Sequence, residues 1–141
     1  MTQVKINFEL VSPERKLVSE PVRMAVMPGV EGEFGVGAGH TSLLAALKPG
    51  VVKLYQDNDN TPERRIFIAG GFADVTAEIC TVLAEEAIAV DDLNVPAIEQ
   101  QLRDLTEDLG TAQDDLERTR VERKIKLAKA KLEAATGQVG L

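Results

Sequence analysis

The stretch PGVEGEFGVGAGHTSLLAALKPGVV at residues 28–52, together with FIAGGFADV at residues 67–75, decides the fold of this chain. Glycine recurs five times from Gly29 to Gly39, where short polar loops alternate with apolar segments. Because glycine adopts positive φ without steric strain, this spacing predicts tight turns between short strands. Gly70 and Gly71 interrupt an apolar segment and predict a bent strand. Both stretches are features of a scaffold rather than catalytic motifs.

Further strands are predicted on either side of these stretches by the alternation of apolar and polar residues. The segment VKINFEL at 4–10 alternates strictly, so that Val4, Ile6, Phe8 and Leu10 would share one buried face. The other predicted strands are 16–19, 22–27, 33–36, 42–46, 50–56, 65–69 and 72–85. The Asp-Asn run at 57–60 predicts a hairpin tip. Many short strands without intervening helices favour an antiparallel β-sandwich or flattened barrel.

The apolar period changes from two residues to three or four after Glu86. Asn94 is a suitable helix N-cap, Pro96 is tolerated in the first turn, and Gly110 predicts the end of this helix. Its apolar stripe consists of Ile98, Leu102, Leu105 and Leu109. A second amphipathic helix is predicted from Asp114 onward, with a frayed tail at 136–141. We therefore predict a mainly β, α+β protein with a β-sandwich domain at 1–88 and an αα-hairpin at 89–141.

Composition excludes several classes of partner. The chain has 141 residues, of which 44% are apolar, so it can bury a real core. A net charge of -7 argues against nucleic acid and against anionic lipid. No apolar run approaches the ~20 residues of a membrane span, and no leader pattern precedes the first strand, so direct membrane insertion is not expected. Residues 114–141 alone have a positive balance, with seven bases and five acids, and could meet an acidic partner.

No catalytic or cofactor motif is complete. The loop at Gly29–Gly39 lacks the lysine and the glycine spacing of a phosphate-binding loop, and Glu31 and Glu33 would repel phosphate. One histidine and one cysteine cannot form a zinc set of the usual spacing. The apolar surroundings of Cys80 predict a buried structural thiol. His40 is more often a turn residue than a base in such a loop, and we expect neither a cofactor nor a catalytic residue.

With FELVSP at 8–13, the two glycine-rich stretches closely resemble the epsilon-subunit family of bacterial F-type ATP synthases. The matching motifs are GxEGxFGV, GH, LLxxLxPG and FIAGGFADV, and the resemblance covers essentially the whole sequence. It implies a non-catalytic central-stalk subunit of the rotor, which couples the c-ring to the gamma subunit during ATP synthesis. It also implies a peripheral location, through the complex, at the cytoplasmic face of the bacterial inner membrane.

The same resemblance assigns contacts to particular residues. The sandwich would grip gamma, and the c-ring contact would include Glu31, Gly32, Glu33, Phe34 and His40. The helical hairpin would fold onto the sandwich or extend toward the alpha and beta subunits and inhibit ATP hydrolysis. For that regulatory contact the positive balance of the last helix favours Arg118, Arg123, Lys124 and Lys126. The i,i+4 ion pairs Asp114/Arg118 and Glu122/Lys126 would be a local reason for part of this basic run.

One motif of the family is absent. Some members bind ATP through I/L-D-x-x-R-A, and the aligned residues 93–98 read LNVPAI, without the acid and the arginine. Two hypotheses from other classes stay open at this point. One is a small-molecule-binding β module with a helical dimerisation hairpin, and the other is a sandwich hydrolase that uses His40.

Overall fold

The computed structural model describes residues 4–57 and 60–137, which form ten strands, a short 3-10 helix and two α-helices. The strands are β1 Ile6–Val11, β2 Lys16–Val22, β3 Met24–Gly29, β4 Gly32–Val36, β5 Leu43–Leu47, β6 Gly50–Tyr55, β7 Arg64–Ile68, β8 Gly71–Val75, β9 Ile79–Ala84 and β10 Ala87–Ala89. The 3-10 helix is Val90–Asp92, α1 is Val95–Thr111 and α2 is Asp115–Thr136. The predicted mainly β, α+β fold is confirmed.

The strands form one sheet that curls into two layers. Its order is β10-β7-β6-β3-β5-β8-β9-β1-β2, and β4, which is not in this order, also pairs with β3. The junction is narrow, because β3 pairs with β5 only between Gly29 and Leu47. One layer is therefore β10-β7-β6-β3-β4 and the other is β5-β8-β9-β1-β2.

The core lies between the two layers and follows the two-residue period of the sequence. Ile6, Phe8 and Leu10 are fully buried on one face of β1, as the alternation predicts. They belong to a single cluster with the inward residues of the other layer, among them Met27 and Leu54. This burial removes apolar surface from water and is the main force that stabilises the sandwich.

Two glycines bend the backbone between β7 and β8. Gly70 has φ 112° and Gly71 has φ 152°, values that residues with a side chain rarely adopt. The prediction of a bend at this dipeptide is confirmed. The bend lets Gly71 pair with Leu47 on one side and with Ala84 on the other.

The structure corrects the predicted strands in several places. Residues 72–85 are two strands rather than one, because the Thr76 side chain accepts from the backbone N–H of Ile79 at 3.2 Å and closes a turn. β1 begins at Ile6, and Val4, expected in the core, is 76% exposed. The strand β10 was not predicted, and at three residues it is too short to show a period. The predicted hairpin tip at 57–60 and the predicted frayed tail at 136–141 lie in part outside the described residues.

The pairing is not antiparallel throughout. β1 runs parallel to β9, with Asn7 opposite Ile79 and Val11 opposite Leu83. These strands are far apart in the sequence, so no tight turn dictates their relative direction. Every other pairing among the described strands is antiparallel.

The helical hairpin has a small core of its own. Asn94 caps α1 by accepting from the backbone N–H of Ala97 at 3.0 Å, as predicted. Asp114, where the second helix was expected to begin, caps α2 by accepting from the backbone N–H of Glu117 at 2.8 Å. The apolar residues that pack together are Leu93, Ile98, Leu102, Leu105, Val121, Ile125, Ala128 and Leu132. The predicted end at Gly110 is wrong by one residue. Gly110 lies inside α1, which continues to Thr111, because an exposed glycine is tolerated in a helix.

The protein divides into two compact units, of which the first ends at Ala89 and the second begins at Val90. Every residue of the large sandwich cluster lies in the first unit, and every residue of the helical cluster lies in the second. Each unit therefore has its own hydrophobic core, and the sandwich core does not depend on side chains of the hairpin.

Cys80 is fully buried in the sandwich, where its Sγ lies 3.8 Å from the sulfur of Met27. Burial, with a smaller contribution from Asp74, raises the pKa of the Cys80 thiol to about 12. The thiolate is the reactive form, so this cysteine is inert at neutral pH in the folded protein. The prediction of a buried structural thiol is confirmed.

Candidate functional site

The hairpin between β3 and β4 presents an acidic tip. Gly29 and Gly32 pair across a two-residue loop of Val30 and Glu31, both of which are exposed. Gly32 has φ 138°, so the loop can turn back sharply at this position. The backbone N–H of Val30 donates to the carbonyl of Ala46 at 3.1 Å and ties the loop to β5. The hairpin thus holds the Glu31 carboxylate in solvent on a fixed backbone.

Glu33 and Phe34 continue from this tip with different environments. The Glu33 carboxylate lies 3.4 Å from the Lys53 ammonium, an ion pair on the outer side of the layer. Phe34 is partly buried and packs against the sandwich core. The structure therefore brings Glu31, Gly32, Glu33 and Phe34 together, with two carboxylates outside and one ring that anchors the strand.

His40 lies apart from the tip. It follows the far end of β4, and a strand of that length spans about 13 Å. Its Nδ1 lies 2.7 Å from the carbonyl oxygen of Thr41, and its backbone N–H donates to Gly37 at 3.2 Å. The structure does not place His40 beside Glu31, so the five residues expected to contact the c-ring do not form one surface. The imidazole nitrogen Nδ1 of His40 is therefore engaged by a backbone carbonyl rather than by a nucleophile or a carboxylate.

A second surface was not predicted: the outer side of the layer β5-β8-β9-β1. The registers place Ala46, Phe72, Leu83 and Val11 in one row across these four strands. Phe72 is 56% exposed, Leu83 is 52% exposed, and the nearby Leu44 is 73% exposed. We call the set Val11, Leu44, Ala46, Phe72 and Leu83 the outer apolar face. Large exposed apolar groups in a contiguous row are typical of a protein contact.

The sequence does carry a signal for this face. In the segments 71–75 and 79–84, apolar residues occupy both alternating sets of positions, whereas a strand with one wet face should alternate. Polar groups frame the face without interrupting it: Asp74 stands opposite Leu44, and Glu9 pairs with Lys16 at 3.1 Å.

The four bases expected to make a regulatory contact are all exposed on α2. At 100° per residue, Arg118 and Lys124 flank the apolar stripe on its two sides, whereas Arg123 and Lys126 lie on the opposite side of the helix. They therefore surround the helix rather than form a single patch. The expected local pairs Asp114/Arg118 and Glu122/Lys126 do not form, and none of the four bases has an ion pair with another described residue.

The residues aligned with the ATP motif have structural roles. The Asn94 side chain is engaged as the N-cap of α1, Ile98 is buried in the helical core, and Leu93 packs against it.

Among the residues that the structure describes, no helix combines the length and the apolar character that crossing a bilayer would require.

Comparison with known proteins gives the same family for both parts of the sequence. Residues 5–90 match the model of the β-sandwich domain of the ATP synthase delta/epsilon chain, and residues 95–139 match the model of the C-terminal domain of the ATP synthase epsilon chain. A relative in Rhodospirillum centenum, named ATP synthase epsilon chain, is 48% identical over 137 residues, covering 95% of this chain and 94% of the relative. One of the same name in Rhodospirillum rubrum is 44% identical over 131 residues, covering 93% and 96%.

Solved structures show the same fold. A subunit in the Euglena gracilis mitochondrial ATP synthase, in a complex described as OSCP/F1/c-ring, matches with a TM-score of 0.79 and 25% identity, covering 94% of this protein and 81% of that subunit. A subunit in the central stalk/c-ring structure of the Tetrahymena thermophila mitochondrial ATP synthase matches with a TM-score of 0.68 and 14% identity, covering 96% and 100%. The second likeness concerns the fold alone.

Proposed function

This chain belongs to the ATP synthase epsilon chain family, and on that premise we propose that it is a non-catalytic rotor subunit of a proton-translocating F-type ATP synthase. Its sandwich couples the c-ring to gamma during ATP synthesis. It is held at the cytoplasmic face of the bacterial inner membrane through the other subunits of the complex. Torque transfer needs a stiff body with extended contact surfaces, and a curled sheet around one core supplies both.

The outer apolar face is the observation that carries this proposal. On this face Leu44, Phe72 and Leu83 keep more than half of their surface in water. Covering them with a partner removes apolar surface from water, which stabilises the complex. We assign this face to the contact with gamma. Its centre is apolar and uncharged and its acids lie at the edge, which is the arrangement of a protein interface with an apolar core and a polar rim.

We assign the acidic tip to the contact with the c-ring. Glu31 and Glu33 project from a hairpin whose backbone is fixed by β3 and by the bond to Ala46. Exposed carboxylates on a rigid tip suit a contact that sets register through charge and hydrogen bonds rather than through burial. His40, at the other end of β4, is not part of this contact in the proposal.

The helical hairpin supplies regulation. Its two helices share a small core, and α2 exposes Arg118, Arg123, Lys124 and Lys126 without ion pairs to described residues. We propose that an extended hairpin docks these bases on an acidic surface of the alpha and beta subunits and inhibits ATP hydrolysis. Opposite charge favours this approach, whereas the rest of the protein is acidic.

Reconstitution separates coupling from inhibition. A complex depleted of this subunit is supplemented with the full-length protein, with residues 1–89, or with the full-length protein carrying Glu at 118, 123, 124 and 126. We expect residues 1–89 to restore proton pumping, because the sandwich core is complete without the hairpin. We expect complexes with either altered protein to hydrolyse ATP about fivefold or more faster than those with the full-length protein, in the range of an ordinary coupling free energy.

A variant with Gln at the same four positions is the matched control, and it should lie between wild type and the charge reversal. If the deletion raises hydrolysis and the reversal does not, the electrostatic account is wrong. If residues 1–89 fail to restore pumping, the coupling role of the sandwich is wrong. A protein that dimerises and never enters the complex would instead support the small-molecule-binding β module.

A further inference from the structure

A groove separates the two layers on the side of the acidic tip. It has a volume of about 540 Å³ and lies between residues 29–34 of the β3–β4 hairpin and residues 43–46 of β5. Its walls carry apolar groups, the carboxylates of Glu31 and Glu33, and no base. The groove opens onto the outer apolar face, because Leu44 and Ala46 belong to both.

The backbone of both walls has unused hydrogen-bonding groups. In an antiparallel pair, alternate residues point their N–H and C=O to opposite sides. The carbonyl of Ala46 points away from β8, since it accepts from Val30, so the N–H and C=O of Leu44 point the same way. No backbone group of the described residues pairs with Leu44 on that side. Glu33 likewise lies on the free side of β4, which pairs only with β3 among the described strands.

We propose that an extended segment of gamma adds to the free edge of β5 as a further strand, with backbone hydrogen bonds to Leu44. This inference rests on the proposed function, and it assigns to the gamma contact a backbone component besides the outer apolar face. An open edge next to an apolar row is the usual place for such an added strand.

The groove also defines the chemistry of the added strand. Apolar side chains on one side of it pack beside Leu44 at the margin of the outer apolar face, and those on the other side face Phe34. The segment lacks acids near Glu31 and Glu33, since like charges would repel. A second copy of this protein fits less well, because each copy has a net charge of -7.

Hydrogen exchange of the protein, free and bound to its own purified gamma subunit, tests the inference. The Leu44 amide should exchange at least about tenfold more slowly in the complex, because it gains a partner there. The Ala45 amide faces β8 in both states and is the internal control. An unchanged rate for Leu44 in a formed complex overturns the added strand and leaves the proposed function standing.

Two substitutions give an independent readout. Leu44→Pro removes the outward N–H without removing a hydrogen bond to β8, and Leu44→Ala removes only the side chain. We expect the proline variant to bind gamma about tenfold more weakly than the alanine variant at an unchanged melting temperature. Equal affinities of the proline and alanine variants for gamma overturn the inference. If the proline variant is unfolded, the hydrogen-exchange rates of the wild-type protein decide the question instead. No binding of gamma by the wild-type protein rejects this inference and the proposed function together.

Discussion

Replacing Phe72 by aspartate is expected to weaken the binding of gamma by about 100-fold or more. Phe72 is at the middle of the row formed with Ala46 and Leu83, and this residue is 56% exposed in the protein by itself. A contact would bury that ring, so a carboxylate at this position has to lose its hydration without a partner. Fluorescence or calorimetric titration of gamma with each variant measures the effect.

The stability of the sandwich should change little, because the side chain at position 72 is on the outside of the sheet. Leu116→Asp is the matched control. It is the same kind of change at an apolar residue that is 64% exposed, but it lies on α2 rather than on the sandwich. Equal effects of the two substitutions, or an affinity for Phe72→Asp within about threefold of wild type, would reject the outer apolar face as the gamma contact.

Gly71→Ala is expected to destabilise the sandwich by about 3 to 5 kcal/mol. Gly71 has φ 152°, and a Cβ atom there would collide with the carbonyl oxygen of Leu83 on the neighbouring strand. Both are backbone features, so no side-chain rotation can relieve them. The melting temperature should fall by about 15 °C or more for a domain of this size. Tyr55 is the only tyrosine and there is no tryptophan, so its fluorescence reports on the sandwich.

Two other glycines separate the causes. Gly32→Ala meets no atom within 4 Å but has φ 138°, so it tests strain without collision and should cost about 1 kcal/mol. Gly110→Ala is in an exposed helical position with open space and should stabilise the helical hairpin by about 0.5 to 1 kcal/mol. A melting temperature for Gly71→Ala within about 3 °C of wild type would mean that the bend between β7 and β8 tolerates a side chain.

Local physical chemistry explains which parts of the fold were predictable. The strict alternation around Phe8, the bend at Gly70 and Gly71, the cap Asn94 and the start of α2 near Asp114 each depend on a few neighbouring residues. The turn after Val75 was missed because it uses the Thr76 side chain rather than glycine or proline. The parallel pairing of β1 with β9 was missed because it joins distant segments.

The candidate surfaces likewise divide into one that neighbouring residues determine and one that depends on distant segments. The acidic tip at Glu31 and Glu33 follows from one hairpin in the sequence, whereas the separation of His40 depends on the direction in which β4 runs away from that tip. The outer apolar face combines residues from four strands, so no single segment could reveal it. Its partial signal was an excess of apolar residues around Phe72 and Leu83, which by itself also suits a strand buried on both faces.

Cysteine crosslinking in the assembled ATP synthase tests most directly the central claim that the sandwich joins gamma and the c-ring through two separate surfaces. The native Cys80 does not interfere, because it is fully buried and burial raises its pKa to about 12. We expect Glu33→Cys at the acidic tip to crosslink to a polar loop of the c-ring, and Leu83→Cys on the outer apolar face to crosslink to gamma. Exclusive crosslinking of position 33 to beta, or no crosslink between position 83 and gamma, would contradict the account.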